Sequence, residues 1–167
     1  GGTVVMVSRD VVKDGDRLAR AMVEHDVTAM NSTPATWRTL IEAGWRGRPD
    51  FKVICGGEAF PPDLVAPLLE RSAEVWNMYG PTETTVNATG GRIVDPEARI
   101  TIGRPVPNAS AFVLDPNGQL MPPGVPGELY IGGAGVALGY ARRDALTAER
   151  FVDNPVSDAP HRRLYRT

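Results

Sequence analysis

The chain has 167 residues, 42% hydrophobic and 23% charged, the balance of a globular protein of one ordinary domain or of part of a larger one. A formal net charge of −2 offers no footprint for nucleic acid or anionic lipid, and no apolar run approaches the roughly 20 residues of a membrane span. The single cysteine, Cys55, excludes an intrachain disulfide and a cysteine-built zinc site, and fits a reducing, cytoplasmic compartment.

Residues 3–7 are β-branched and alternate poorly, which predicts a strand buried on both faces. Asp14 or Asp16 can cap the following helix, whose stripe is Leu18, Ala21, Met22 and Val23. A strand over residues 27–33 leads into a helix opened by Pro34, running through Trp37, Leu40 and Ile41 to Gly44 as its stop. Residues 51–55 form a third strand that ends at Gly56-Gly57-Glu58-Ala59. Pro61-Pro62 then starts a helix carrying Leu64, Val65, Leu68 and Leu69, and residues 75–79 form the next strand. Strands alternating with helices of this length predict an α/β fold with a mostly parallel sheet flanked by helices. After Asn87 helical periodicity gives way to short extended runs broken by Gly and Pro. Residues 109–114, the turn Asp115-Pro116-Asn117-Gly118 and residues 127–132 read as strand, turn and strand, closed by a helix over 144–151. The predicted organisation is an α/β subdomain over residues 1–86 and a small irregular β subdomain over 87–167.

Ligands of parallel sheets sit off the carboxyl ends of strands. Three such ends are polar or glycine-rich: Asn31-Ser32-Thr33, Gly56-Gly57-Glu58 and Tyr79-Gly80-Pro81-Thr82. At the last of these, the Tyr79 ring can stack on a base and Gly80 lets a ligand approach the main chain. Thr82 can hydrogen-bond a phosphate oxygen, and Glu83 can hold Mg2+ through a hard oxygen. On spacing alone the stretch reads equally well as a strand–turn–helix junction with Thr82 as the helix cap. His25 and His161 have no partners at metal or triad spacing; His25 reads as a surface residue after a helix, and His161 falls in a polar loop. Cys55 reads as a small buried apolar residue. The run from Arg142 and Arg143 to Arg150 reads as a solvated charged face.

Asn77-Met78-Tyr79-Gly80-Pro81-Thr82-Glu83-Thr84-Thr85-Val86 resembles the signature of adenylation domains of nonribosomal peptide synthetases, members of the adenylate-forming superfamily. Ile102-Gly103-Arg104-Pro105 resembles its IGRP segment, residues 126–140 are similar to its GELYIGGxGVARGY motif, and residues 146–151 to its LTAERF helix. Leu138 stands where that motif commonly has arginine, so no role of the arginine is carried over. Tyr165-Arg166-Thr167 is similar to the opening of a YRTGD motif whose aspartate grips the ribose hydroxyls.

The resemblance implies part of the large N-terminal portion of an adenylate-forming enzyme, with both ends of the chain read as cuts. The family's phosphate loop, the aspartate for the substrate amino group and the catalytic lysine would lie outside the chain, so it is expected to be inactive alone. The implied reaction joins an amino acid to ATP as aminoacyl-AMP and passes it to phosphopantetheine on a carrier domain. Carrier, condensation and C-terminal adenylation subdomains are the implied partners. Glu83 would hold Mg2+ and Thr82 a phosphate or the acyl adenylate. Asn77, Tyr79 and Gly80, with Gly57, Glu58 and Ala59, would form the adenine pocket. The family's selectivity positions fall on Asn31, Ile54, Gly56, Met78, Val86 and Asn87; the first five resemble threonine-activating domains, while Asn87 departs from the usual histidine, so the resemblance leans to threonine, with a related small β-hydroxy or polar amino acid behind it. Two other readings stand beside this one: an acyl- or aryl-CoA ligase of the same superfamily, and a non-catalytic nucleotide-binding module.

Overall fold

In the computed structural model, which describes residues 1–156 and 162–167, the chain divides into two units. Gly1–Met78 and Gly91–Thr101 make the first, and Tyr79–Gly90 and Ile102–Thr167 the second. His161 lies outside the described residues.

The first unit runs α1 (Arg9–Val12), α2 (Gly15–Glu24), β1 (Ala29–Ser32), α3 (Pro34–Glu42), β2 (Lys52–Gly56), a 3-10 turn (Pro62–Leu64), α4 (Val65–Leu69) and β3 (Glu74–Tyr79). The Asp14 side chain caps α2 by accepting from the Arg17 amide at 3.0 Å. Leu18 and Met22, four apart, are buried on one side of α2. Val23, expected in the same stripe, is one residue further round the helix and 80% exposed. Residues 3–7 form no strand. Val4 and Met6 are exposed there, and β-branching alone does not make a strand where no neighbour offers a backbone ladder. Pro34 occupies the first turn of α3, whose missing amide is no loss there, and Gly44 ends the chain's helical path at φ +80°. The expected helix after Pro61-Pro62 is split, a 3-10 turn preceding the short α4, yet Leu64, Val65 and Leu68 are all buried as its apolar pattern requires.

β1, β2 and β3 pair in parallel, and β4 (Thr89–Ile93) follows β3 in the sheet. Their register sorts side chains to two faces. Val53, Cys55, Val75 and Asn77 share the buried face, and the first three join Trp37, Leu40, Phe51 and Leu68 in the core. Asn31, Ile54, Gly56, Trp76 and Met78 share the other, more accessible face. The core is anchored by three rings: Trp45 stands 5.7 Å from Trp37 and 5.3 Å from Phe51, the latter nearly edge-on. Such pairs add about 0.5–1.5 kcal/mol to the burial itself.

In the second unit the start of β4 pairs antiparallel with β5 (Arg104–Pro105). A separate antiparallel sheet has the order β6-β7-β9-β8, from β6 (Ala109–Leu114), β7 (Glu128–Gly133), β8 (Phe151–Asp153) and β9 (Arg163–Arg166). The Asp115 carboxylate organises the predicted turn, accepting from the amides of Asn117 and Gln119 at 2.8 Å each. The chain then bridges Leu120 to Leu114 before reaching β7, so β6 and β7 are joined by a longer excursion than a tight hairpin. α5 (Asp144–Arg150) precedes β8 and buries none of its residues, as its charge predicted. Among the described residues no helix is long and apolar enough to cross a membrane.

Candidate active-site residues

The pairings Asn31↔Ile54 and Gly56↔Met78 place four of the expected selectivity residues on adjacent strands of the first unit. Registered parallel partners point to the same side, and Ile54 and Gly56 are two apart, so all four share the accessible face near the strands' carboxyl ends. A Cβ at Gly56 would come within 2.8 Å of the Met78 carbonyl oxygen, which accounts for the glycine. Gly57, at φ +85°, turns the chain out of β2, and Gly57, Glu58 and Ala59 are exposed there. Asn77 differs from its neighbours: its side chain is on the buried face, and its amide donates to the Thr101 carbonyl at 2.8 Å. A cavity of about 630 Å3 in this unit is lined by Asn31 and Ser32 together with Val7, Leu18 and Met22, but not by Ile54, Gly56 or Met78.

The second unit holds Tyr79, Gly80, Thr82, Glu83, Val86 and Asn87. Thr82 does not cap a helix. Residues Thr82–Thr84 form a single 3-10 turn, with Pro81 at the capping position and no side-chain cap. Thr84 turns back on it, its hydroxyl donating to the Pro81 carbonyl at 3.1 Å, and Thr82 stays exposed. The space beside the Gly80 Cα, expected to admit a ligand, is filled by the chain's own return: a Cβ would meet the Val86 oxygen at 2.5 Å and the Ala88 nitrogen at 2.6 Å. Thr85 and Val86 both hold positive φ, +59° and +67°, in a region β-branched residues avoid. The Thr85 hydroxyl is fixed by donating to the Gly135 carbonyl at 2.8 Å, and Val86 is left 64% exposed. Strain of this kind is held by surrounding contacts and gathers at functional turns.

The Glu83 carboxylate is gripped. The Tyr140 hydroxyl donates to its Oε1 at 2.5 Å, and the Ala137 amide donates to its backbone carbonyl at 2.8 Å. The Tyr140 hydrogen bond, with a smaller one from Tyr165, holds the Glu83 carboxyl below the usual carboxylate value, so it is an anion at neutral pH. The same bond pushes the Tyr140 hydroxyl up, keeping it a donor. Tyr140 ends the motif at residues 126–140, and the sequence alone assigns it no role. The available signal is a hydroxyl-bearing ring closing a glycine-rich segment, but nothing local ties it to a residue 57 positions earlier. Leu138 is 89% exposed and its carbonyl accepts from Arg163, so this position contributes backbone, not side chain.

Among the described residues no cluster of three His, Cys, Asp or Glu forms a metal cage. Mg2+ bound with a nucleotide takes one or two carboxylates beside phosphate oxygens and water, and the donor that Glu83 presents is an ionised, half-buried carboxylate. Cys55 is fully buried and its thiol is pushed up to about 12 by burial, with the Glu58 charge adding to it, so it is no nucleophile. His25 caps the C-terminus of α2 in an exposed position.

The profile of the AMP-binding enzyme family matches residues 1–141. A linear gramicidin synthase of Brevibacillus parabrevis is 44% identical over 168 residues, and a dimodular nonribosomal peptide synthase of Bacillus subtilis is 38% identical over 168 residues. Both align with all of this chain, which spans only 2% and 7% of their respective lengths. Among solved structures, holo-AB3403, a four-domain nonribosomal peptide synthetase bound to AMP and glycine, superposes with a TM-score of 0.88 at 41% identity, covering 96% of this chain and 12% of that one.

Proposed function

The chain belongs to the AMP-binding enzyme family, and from that premise we propose that it serves amino-acid activation in a nonribosomal peptide synthetase, with threonine as the amino acid. The reaction joins a carboxylate oxygen of the amino acid to the α-phosphorus of ATP. The bond from that phosphorus to its bridging oxygen breaks, and pyrophosphate leaves with the electron pair. The acyl group then passes to the thiol of phosphopantetheine on a carrier domain, with AMP leaving. Condensation and C-terminal adenylation subdomains complete the set of partners.

Two anions must meet in the first step, so positioning and charge neutralisation are the main demands on the protein. Mg2+, when bound, screens the phosphate charge. Glu83 would hold it as an anion whose ionisation is already secured by Tyr140. The exposed Thr82 hydroxyl donates to a phosphate oxygen, and the Tyr79 ring stacks on the adenine. Gly57, Glu58, Ala59 and Gly80 contribute to adenine binding through backbone groups. Asn77 contributes indirectly, its buried amide holding the Thr101 carbonyl. The Asn31 carboxamide hydrogen-bonds the substrate hydroxyl, while Ile54 and Met78 enclose its methyl group, with Gly56 leaving room between them. Val86 and Asn87 act in the same selectivity.

The observation that carries this reading is the register of β1, β2 and β3, which lays Asn31, Ile54, Gly56 and Met78 on one accessible face. The match to a synthetase structure bound to AMP and glycine supports it. The test is amino-acid-dependent exchange of pyrophosphate into ATP by the full-length protein, against threonine, serine, valine and aryl acids. Threonine is expected to lead. Serine, one methyl smaller, should fall roughly 10- to 200-fold behind, and valine further, because it leaves the Asn31 amide unpaired. Preference for another amino acid would keep the reaction and remove threonine. Activation of aryl acids with transfer to coenzyme A would replace the synthetase by an acyl ligase, and no exchange from folded protein would leave a non-catalytic nucleotide binder.

A further inference from the structure

Resting on the reading of Glu83 as the carboxylate that holds the metal, we propose that Tyr140 is a positioning residue: its hydroxyl fixes the Glu83 carboxylate in the orientation that meets the metal–nucleotide complex. A free glutamate samples several rotamers, and binding must then select one and lose the rest. Here the selection is made by the fold. The Tyr140 hydroxyl donates to Oε1 at 2.5 Å, while the Ala137 amide holds the backbone carbonyl of the same residue at 2.8 Å. The neighbouring Gly135 carbonyl accepts from the Thr85 hydroxyl at 2.8 Å, and a Cβ at Gly135 would press to 3.0 Å from the Thr84 oxygen. One short segment, residues 135–140, therefore grips Glu83 by side chain and main chain and also holds the turn that follows it.

Tyr140 is itself held. Its amide donates to the Thr147 hydroxyl of α5 at 2.9 Å, and its ring meets Phe151 edge-on at 5.4 Å. Phe151 in turn is the register partner of Tyr165 and packs against it at 5.2 Å. Gly139, at φ +146°, leaves no room for a Cβ beside Thr147, which locks the approach of Tyr140 to α5. A tyrosine fixed at the main chain and at the ring delivers its hydroxyl to one place. Groups that orient a metal-binding carboxylate in this way typically change metal affinity by 10- to 100-fold when removed.

The test uses the full-length protein with a non-hydrolysable ATP analogue and Mn2+ as the probe, its binding read by electron paramagnetic resonance. Tyr140→Phe keeps the ring contact and deletes only the donor. It is expected to weaken Mn2+ binding about 10- to 100-fold, to raise the apparent KM for metal–ATP in pyrophosphate exchange, and to leave the KM for the amino acid and the melting temperature nearly unchanged. Thr147→Val, which loosens the Tyr140 main chain, should weaken Mn2+ in the same direction by less. Tyr140→Phe added to Glu83→Gln should cost nothing further. Mn2+ binding that falls in Glu83→Gln but not in Tyr140→Phe overturns the role of Tyr140 alone. Unchanged Mn2+ binding in Glu83→Gln removes the reading of Glu83, and the role of Tyr140 with it. A loss in Tyr140→Phe spread evenly over Mn2+, amino acid and melting temperature assigns Tyr140 to structure only.

Discussion

Replacing Gly80 by alanine separates two explanations for that glycine, access for a ligand and room for the chain's own return. The added Cβ would stand 2.5 Å from the Val86 oxygen and 2.6 Å from the Ala88 nitrogen, where ordinary contact begins near 3.4 Å. All the close atoms are main chain, so no side chain can swing aside, and the two segments must part by about 0.9 Å to restore contact distance. That opening strains the hydrogen bond from the Ala88 amide to the Tyr79 carbonyl, now 2.9 Å. Overpacking costs about 1–3 kcal/mol and a weakened backbone hydrogen bond about 1 more, together about 2–4 kcal/mol. In a unit of this size, where 1 kcal/mol is worth about 4–8 °C, that lowers the melting temperature by about 8–32 °C. Val86 and Asn87 ride on the displaced segment, so the KM for the amino acid should rise about tenfold or more, ahead of any change in the KM for ATP. Calorimetry and pyrophosphate exchange read the two effects. Unchanged melting and unchanged kinetics would refute the close-return argument, and loss of ATP affinity alone at full stability would give the space beside the Gly80 Cα to the ligand.

Val86 holds a left-handed backbone with its side chain 64% exposed, so Val86→Asn should stabilise the protein by about 1 kcal/mol in urea unfolding while reducing discrimination among amino acids. Cys55, fully buried with its thiol pushed up to about 12, should resist alkylation in mildly alkaline buffer and react at once in denaturant; labelling of the folded protein would contradict its placement. The Glu83 carboxyl is lowered below its ordinary value of 4.5 by Tyr140, so the stability it contributes is full above that value and lost as pH falls through the lower folded value. The small stability difference that Tyr140→Phe makes should therefore be constant around neutral pH and vanish in acid; a difference that grows in acid would reverse the sign.

The α/β half was legible because its signals are local. Pro34, Gly44 and Asp14 punctuate helices by backbone chemistry that acts within a turn, and Asp14 does cap α2 as expected. The apolar spacing Leu64, Val65, Leu68 marks the buried side even where the helix breaks into a 3-10 turn. What failed was whatever depended on a distant partner. Residues 3–7 carry strand composition without a ladder, and Val23 sits in an apolar run without reaching the core. Resemblance points to Asn31, Ile54, Gly56 and Met78 as selectivity residues, but their sharing one sheet face follows from strand register, which no single strand encodes. Asn77 sits one step along β3 from Met78 and so points to the opposite face, into the core. Tyr140 was invisible for the same reason as the register: its partner Glu83 is far along the chain.

The central claim is activation of threonine with Glu83 managing the charge of the reaction, and threonine-dependent pyrophosphate exchange by the full-length protein and its Glu83→Gln variant tests it most directly. Threonine-selective exchange in the natural protein, falling about 10- to 100-fold or more in the variant with folding intact, is the expected result. Absence of exchange with threonine from folded natural protein, or a Glu83→Gln variant that exchanges at the full rate, would contradict it.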